Sequence, residues 1–388
     1  MVLLDVSRLI WRRWAGRIPT GIDRVCLAYL EEFAHGSLAV VQRRGRIFVL
    51  DQGASQALFQ LLRVPPRDFR HRFLRLAACL PWRLAKRENW EGALYLNLGH
   101  TGLDHPALGR WVGAHRLRAV YFVHDLIPLT HPEYCRAGED ERHARRMATV
   151  LSSGAGVIGN SQQTIDELAR WADHTKRPLP PCVAALLGSD LAEPSATASR
   201  EASSDDRSTF VTIGTIEGRK NHLLLLQAWV RMAQRLGEKT PRLLIVGQRG
   251  WESEQATDML DRSPALRGHV EELGRCSDAE LAAMLGEARA LLFPSFAEGY
   301  GLPLAEALGK GTPVIASDLP VFREIGGDIP DYLDPLDGPA WIDAILDYAA
   351  RDSESRRAQV DRVRGYRAPT WSDHFAAVRP WLNQFEAA

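Results

Sequence analysis

Cysteine is scarce in this 388-residue sequence: Cys26, Cys79, Cys135, Cys182 and Cys276 are scattered, with no CxxC pair. That argues against both a zinc site and a disulfide framework, and reads as reduced thiols in a cytosolic protein. No apolar run approaches the ~20 residues that a membrane-spanning helix needs. The opening segment, MVLLDVSRLIWRRW, puts Asp5 and Arg8 inside what would be a signal peptide's apolar core, so secretion through it is not expected. Net charge is missing too, with 48 Lys+Arg against 48 Asp+Glu. The balance hides an asymmetry: residues 1–190 hold 26 basic and 18 acidic side chains, and the remainder 22 and 30. One half is basic and the other acidic, which suits different partners. A 45% apolar and 25% charged composition excludes a disordered chain, and the length favours two domains over one.

The most informative stretch is Leu291 to Asp318, LLFPSFAEGYGLPLAEALGKGTPVIASD. It reads as a strand, a glycine loop, a helix opened by Pro303 and a second strand. Such a turn aims backbone N–H groups and the positive end of a helix dipole at an anion beyond the carboxyl edge of a parallel sheet. Two carboxylates flank it, Glu298 in the loop and Glu306 expected in the first helical turn. A carboxylate accepts two hydrogen bonds from a vicinal diol, which suits a ribose or hexose joined to phosphate. The residues alone also allow a plainer reading, in which Glu306 answers the helix dipole and Glu298 has no role.

Glu298 and Glu306, with seven residues between them in FAEGYGLPLAEAL and followed by GTPVIASDLPVFREIGGD, resemble the Glu-x7-Glu signature of retaining glycosyltransferases of family 4. Weaker similarity continues over nearly the whole chain. The resemblance implies an α/β GT-B fold, two Rossmann-like domains facing across a central cleft, and a nucleotide-sugar donor with no metal or other cofactor. It implies that Glu306 holds the nucleotide ribose and Glu298 the transferred sugar. The backbone N–H groups of Gly299, Tyr300, Gly301 and Leu302 would receive the diphosphate.

Along the chain, Val2 to Leu9 reads as a strand and Thr20 to His35 as a helix, joined through Gly16-Arg17-Ile18-Pro19-Thr20-Gly21. The family carries a glycine loop here that approaches donor and acceptor; Gly21, Thr20 and Arg24 match it loosely, and Thr20 also fits a plain N-cap. Residues 37–51 alternate as a hairpin around Arg43-Arg44-Gly45. Residues 61–90 carry eight Lys+Arg and two Asp+Glu with Phe69, Phe73, Leu76, Leu80 and Trp82 interleaved. This fits either a surface resting on anionic lipid headgroups or a helix whose apolar side is core. Strands Ala93–Gly99 and Ala119–Asp125 end in His100 and in His124-Asp125. Within FVHDLIPLTHPEY, His124 matches the family histidine near the donor sugar, donating to its oxygen or to developing charge. His100, Asp125 and His131 are lesser candidates, the first two on the acceptor side. Arg136, Arg142, Arg145 and Arg146 fit either steering of a phosphate-bearing acceptor or a solvated face.

Residues 191–208 have the composition of a solvated linker, which separates a first domain, 1–190, from a second, 209–365. In the second, Gly214 to Asn221 forms the first strand-to-helix turn. Many family members have arginine after that glycine and lysine five residues on, both pairing with the donor diphosphate. Lys220 matches the lysine, Thr215 replaces the arginine, and Arg219 is the candidate substitute. Residues 366–388 resemble the final GT-B helix that crosses back to the first domain. The implied activity is transfer of a hexose, with GDP-mannose as the first choice of donor, to a glycan or lipid-linked glycan in surface-polysaccharide assembly. A UDP-hexose or deoxysugar donor, or a catalytically silent nucleotide-binding module, are the alternatives. No nucleic-acid partner is expected. The expected location is cytoplasmic, with peripheral contact at the membrane's inner face through residues 61–90.

Overall fold

A computed structural model describes residues 1–17, 20–64, 68–78, 84–85, 90–189, 207–274 and 276–385. They divide into two compact units, Met1–Leu187 with Trp371–Ala388, and Gly188–Thr370. Most of the segment read as a linker lies outside the described residues.

The first unit contains β1 (Val2–Asp5), β2 (Leu38–Arg43), β3 (Arg46–Val49), β4 (Leu94–Asn97), β5 (Arg118–Val123), β6 (Gly154–Gly159) and β7 (Cys182–Ala184). They form one sheet in the order β3-β2-β1-β4-β5-β6-β7, parallel except for the β2–β3 hairpin. Arg44 and Gly45 turn that hairpin with φ of 49° and 76°, the two left-handed residues of a tight type I′ turn. Four or more consecutive residues of β4 and β5 are buried, as expected of parallel strands covered on both faces. The helix Trp371–Asn383 packs here. The Tyr29 ring contacts Phe33, Phe122 and Phe375, and its hydroxyl donates to His374 Nε2 at 2.8 Å, while His374 Nδ1 donates to the Leu186 carbonyl at 3.0 Å.

The second unit contains β8 (Thr209–Ile213), β9 (Arg242–Val246), β10 (Val270–Leu273), β11 (Leu291–Phe293), β12 (Val314–Ser317) and β13 (Asp331–Leu333). All are parallel, in the order β10-β9-β8-β11-β12-β13. The strand order reverses between β8 and β11, and ligands of open α/β sheets settle beyond the carboxyl ends of strands at such a point. In the first unit the reversal lies between β1 and β4. Among the described residues no helix is long and apolar enough to cross a membrane.

Candidate functional site

The loops that follow β8 and β11 in the second unit meet at its reversal point. After β8, a single 3₁₀ turn, Gly218–Lys220, ends at Asn221 in a left-handed conformation, φ 55°. This tight geometry lets two adjacent side chains reach one carboxylate. Arg219 Nη1 lies 2.8 Å from Glu298 Oε2, and Lys220 Nζ pairs with Glu298 Oε1. Arg219 also donates to the Ala297 carbonyl at 2.6 Å and to Glu217 at 2.7 Å. Ser295, fully buried, donates to Glu298 at 2.8 Å, and the Phe296 N–H donates to the Arg219 carbonyl at 2.9 Å. The Lys220 ammonium also lies 5.1 Å from the Phe293 ring centre.

Electrostatics follow from burial and pairing. Glu298 and Lys220 side chains are only 7% and 12% exposed. Burial by itself would raise the Glu298 pKa, but Arg219 and Lys220 outweigh it and bring it down to about 2. Burial pulls the Lys220 ammonium below the usual lysine range against the opposing pull of Glu298. The site therefore holds an ionised carboxylate between two cations, and Glu217 pairs with Arg219 as a second acid.

The loop after β11 leads through Gly301, φ 113°, into the helix Leu302–Gly309. A Cβ at Gly301 would lie 2.7 Å from the Phe322 ring, so both its conformation and its space call for glycine. Pro303 stands in the first turn as expected. Glu306 does not: it is the fifth residue of the helix and only 3% exposed. A first-turn response to the helix dipole is thus not what places it, which removes half of the plainer reading. Thr215, which stands where many family members have arginine, has its methyl group against Gly250, where a Cβ would come within 2.6 Å of it.

In the first unit the structure gathers three histidines. The His100 ring centre lies 5.1 Å from that of His124 and 5.9 Å from that of His143, a residue that nothing in the sequence pattern singles out. Their Nε2 atoms meet the carbonyls of Phe122 (2.8 Å), Leu98 (2.7 Å) and Asp125 (3.1 Å) respectively. A carbonyl only accepts, so each Nε2 carries the proton. The donor role expected of His124 is corrected accordingly: its Nδ1 presents a lone pair, and toward a sugar hydroxyl the neutral ring accepts. Asp125 caps the next turn by accepting from the Ile127 N–H at 3.2 Å.

Burial disfavours the imidazolium at each site, bringing His124 to about 4, His143 down and His100 well below the usual value. His222, beside Lys220 and also buried, is likewise lowered to about 4. In the unfolded chain each would titrate near 6.5. The neutral rings therefore contribute fully above that pH, and stability falls as pH drops from about 6.5 towards 4, by on the order of 3 kcal/mol for a shift of this size. Denaturant melts at pH 7 and 5 should show this, and His124→Asn should flatten the slope. Equal stability at both pH values would contradict the buried neutral histidines.

Thr20 is the N-cap of the helix Gly21–Phe33, and its N–H and hydroxyl donate to Asp23 Oδ2 at 2.6 and 2.9 Å. Buried Asp23 also holds Arg8 at 2.8 Å and Arg12 at 2.6 Å. Arg24 donates its N–H to the Thr20 carbonyl, so Thr20, Gly21 and Arg24 belong to one anchored helix start. The Thr-x-x-Asp spacing is the signal for Asp23. Among the arginines considered for acceptor steering, Arg142 pairs with Asp104 and Glu139, Arg145 with Glu141 and Arg146 with Glu139. Phe69 and Phe73 are buried, with Phe73 against Trp11 and Trp14, so they face the core rather than a membrane. Leu80 and Trp82 lie outside the described residues.

Two Rossmann-like units, the second with cations and glutamates at its reversal point, define a GT-B architecture. It is shared with sucrose-phosphate synthase of Thermosynechococcus elongatus, at a TM-score of 0.64 and 18% identity over 100% of this chain and 99% of that one. Anabaena HepE, solved with UDP, gives 0.66 and 13% over 98% and 99%. More particularly, residues 196–329 match the family model Glycosyl transferases group 1, and the chain carries a domain of that family. It is homologous to O-antigen mannosyltransferases. The serotype-specific mannosyltransferase WbdA of Escherichia coli is 31% identical over 219 residues, 53% of this chain and 27% of that protein. The O-antigen chain mannosyltransferase B of Escherichia coli is 30% identical over 256 residues, 62% and 63% of the two chains. This chain thus spans about a quarter of WbdA's length.

Proposed function

We propose that this protein is a retaining glycosyltransferase that moves a hexose, mannose from GDP-mannose in the first instance, to a glycan or lipid-linked glycan acceptor in polysaccharide assembly. The observation that carries the reading is the convergence of Arg219 and Lys220 on Glu298 where the strand order of the second unit reverses. A diphosphate takes the two cations and the N–H groups at the start of the Leu302–Gly309 helix, which frees Glu298 for the sugar hydroxyls. Arg219 and Lys220 supply the counter-charge to the leaving diphosphate, so the reading needs no metal. Glu306 receives the ribose hydroxyls. His124, neutral and accepting through Nδ1, orients a hydroxyl of the sugar. Departure of the nucleoside diphosphate comes first, and the acceptor hydroxyl attacks the same face, giving up its proton to an oxygen of the departing diphosphate. The mannosyltransferase names of the relatives support the choice of sugar. Arg70, Arg72 and Arg75 are exposed on the helix Phe69–Ala78, with Arg70 held over Trp14 and Arg72 paired with Asp68, and suit surface attraction to anionic headgroups rather than insertion.

Thermal stabilisation by GDP, UDP and ADP tests the donor. A nucleotide at about a hundred times its Kd adds roughly 2.7 kcal/mol. GDP is expected to raise the melting temperature of the parent and not of Glu306→Ala. If UDP alone does so, the donor is a UDP-sugar; no response to any of the three would remove the donor site.

A further inference from the structure

The first unit has a second feature at a sheet's carboxyl edge. A cavity of about 400 Å³ opens beside the reversal point between β1 and β4, between the end of β2 and the loop that follows His100. Its floor is rigid. Gln42 is buried, donates its backbone N–H to Ser7 Oγ at 2.7 Å, and donates from its side-chain amide to Asp5 at 2.7 Å and to the Thr101 carbonyl at 2.9 Å. The Trp11 indole N–H donates to the Gln42 carbonyl at 2.8 Å, which fixes the ring as one wall. Over that ring, at 5.2 Å, lies the guanidinium of Arg43.

The charges at the mouth are unbalanced. Arg43 and Arg44, both exposed, form no ion pair among the described residues. The cavity's acid, Asp104, is already held by Arg142 at 2.8 Å. His105 accepts from the Ala107 N–H through Nδ1, which leaves the other ring nitrogen as a donor, and it caps the helix Pro106–Ala114 at its positive end. Gly45 lets the hairpin tip approach this helix start: a Cβ there would lie 2.6 Å from the His105 ring. Two guanidinium groups without an ion pair among the described residues, one of them stacked in place, and an imidazole N–H thus surround a space the size of a small ligand. Guanidinium forks match the paired oxygens of carboxylate and phosphate.

We propose that this cavity is the acceptor subsite for an acidic sugar, a pyranose bearing a phosphate or a carboxylate, clamped by Arg43 and Arg44. The assignment rests on the reading of the first unit as the acceptor side of a glycosyltransferase. The neighbouring loop carries His100, so an acidic residue seated here lies next to the segment that leads to the histidine group.

The test is calorimetric titration of the full chain at low salt with glucose 6-phosphate, glucuronate and neutral methyl glucoside. Arg44→Asp and Arg43→Gln serve as variants; aspartate tolerates the left-handed backbone at position 44, so the hairpin turn is kept. Saturable binding of either acidic sugar is expected, with methyl glucoside at least about tenfold weaker and each variant weakening the acidic sugar by about tenfold. Which acidic sugar binds tells phosphate from carboxylate. Equal binding of the neutral glycoside, no response to either variant, or Arg44-dependent binding only to phosphatidylglycerol vesicles would each overturn the subsite. GDP stabilisation, measured on the same variants, is expected to be unchanged. Its absence from the parent protein would count against the donor reading, separately from the sugar titrations.

Discussion

Glu298→Gln is expected to cut turnover of the nucleotide sugar by roughly a hundredfold or more while nucleoside diphosphate binds at least as tightly as to the parent. The carboxylate is the counter-ion of both Arg219 and Lys220, and on the proposed reading it competes with a diphosphate for them. The amide keeps an oxygen for the Ser295 hydroxyl but removes the charge, so Lys220 becomes available to phosphate oxygens and Arg219 is left with Glu217 alone as its acid. On the proposed reading, the same change takes away the charged acceptor for the sugar's hydroxyls as the glycosidic bond breaks. Removing the charge that Lys220 and Arg219 share also costs stability, most of it at Lys220 since Arg219 keeps Glu217, so the melting temperature without nucleotide should fall and GDP should raise it by more than it raises the parent's. Initial rates with the donor, beside GDP titrations of both proteins, check this. Turnover within a few-fold of the parent would remove Glu298 from the reaction.

The second large effect is at Lys220. Lys220→Ala should weaken nucleoside diphosphate binding by about tenfold to a hundredfold, the size of a lost hydrogen bond between charged groups. Folding should survive, because Arg219 still balances Glu298. Lys220→Arg is not expected to restore binding. The ammonium sits 5.1 Å from the Phe293 ring centre, and the chain's Cε lies 3.3 Å from where a Cβ on Gly214 would be, which leaves a compact point charge room and a planar fork none. Calorimetry with GDP distinguishes the three proteins; unchanged affinity in Lys220→Ala would place the diphosphate elsewhere.

Much of the second unit is legible in the order of its residues. The largely apolar runs 210–216, 243–247 and 291–294 coincide with β8, β9 and β11 to within a few residues, since buried parallel strands are mostly apolar, while 270–274 coincides with the half-buried edge strand β10 despite Glu271 and Glu272. Pro303 and the glycines preceding it mark the helix start, because those features are local. Arg219 and Glu306 show the other side. Adjacent residues in a turn usually diverge, and nothing in Gly218-Arg219-Lys220-Asn221 announces that a 3₁₀ turn closed by a left-handed Asn221 brings both cations to one carboxylate, 78 positions beyond Lys220. The depth of Glu306 in its helix depends on where the helix begins, and helix ends are the least certain part of a pattern.

The first unit is harder, because its chemistry comes from far-apart segments. His143 joins His100 and His124 only because helix Glu139–Ser153 lies beside the ends of β4 and β5. Phe69 and Phe73 suit lipid or core equally well by their spacing, and it is the packing of Trp11 and Trp14 over Phe73 that assigns them to the core.

By itself the sequence determined the α/β alternation, the strand-loop-helix unit around Glu298 and the composition of two differently charged halves. These are properties of residue period, turn chemistry and charge count, all read within a few neighbours. Only the tertiary structure decided which side chains share a site, which histidines are neutral and which nitrogen each presents, and that two arginines of a hairpin tip stand over a cavity with no ion pair among the described residues. Pairing, burial and desolvation are sums over neighbours in space, and chain order does not record them.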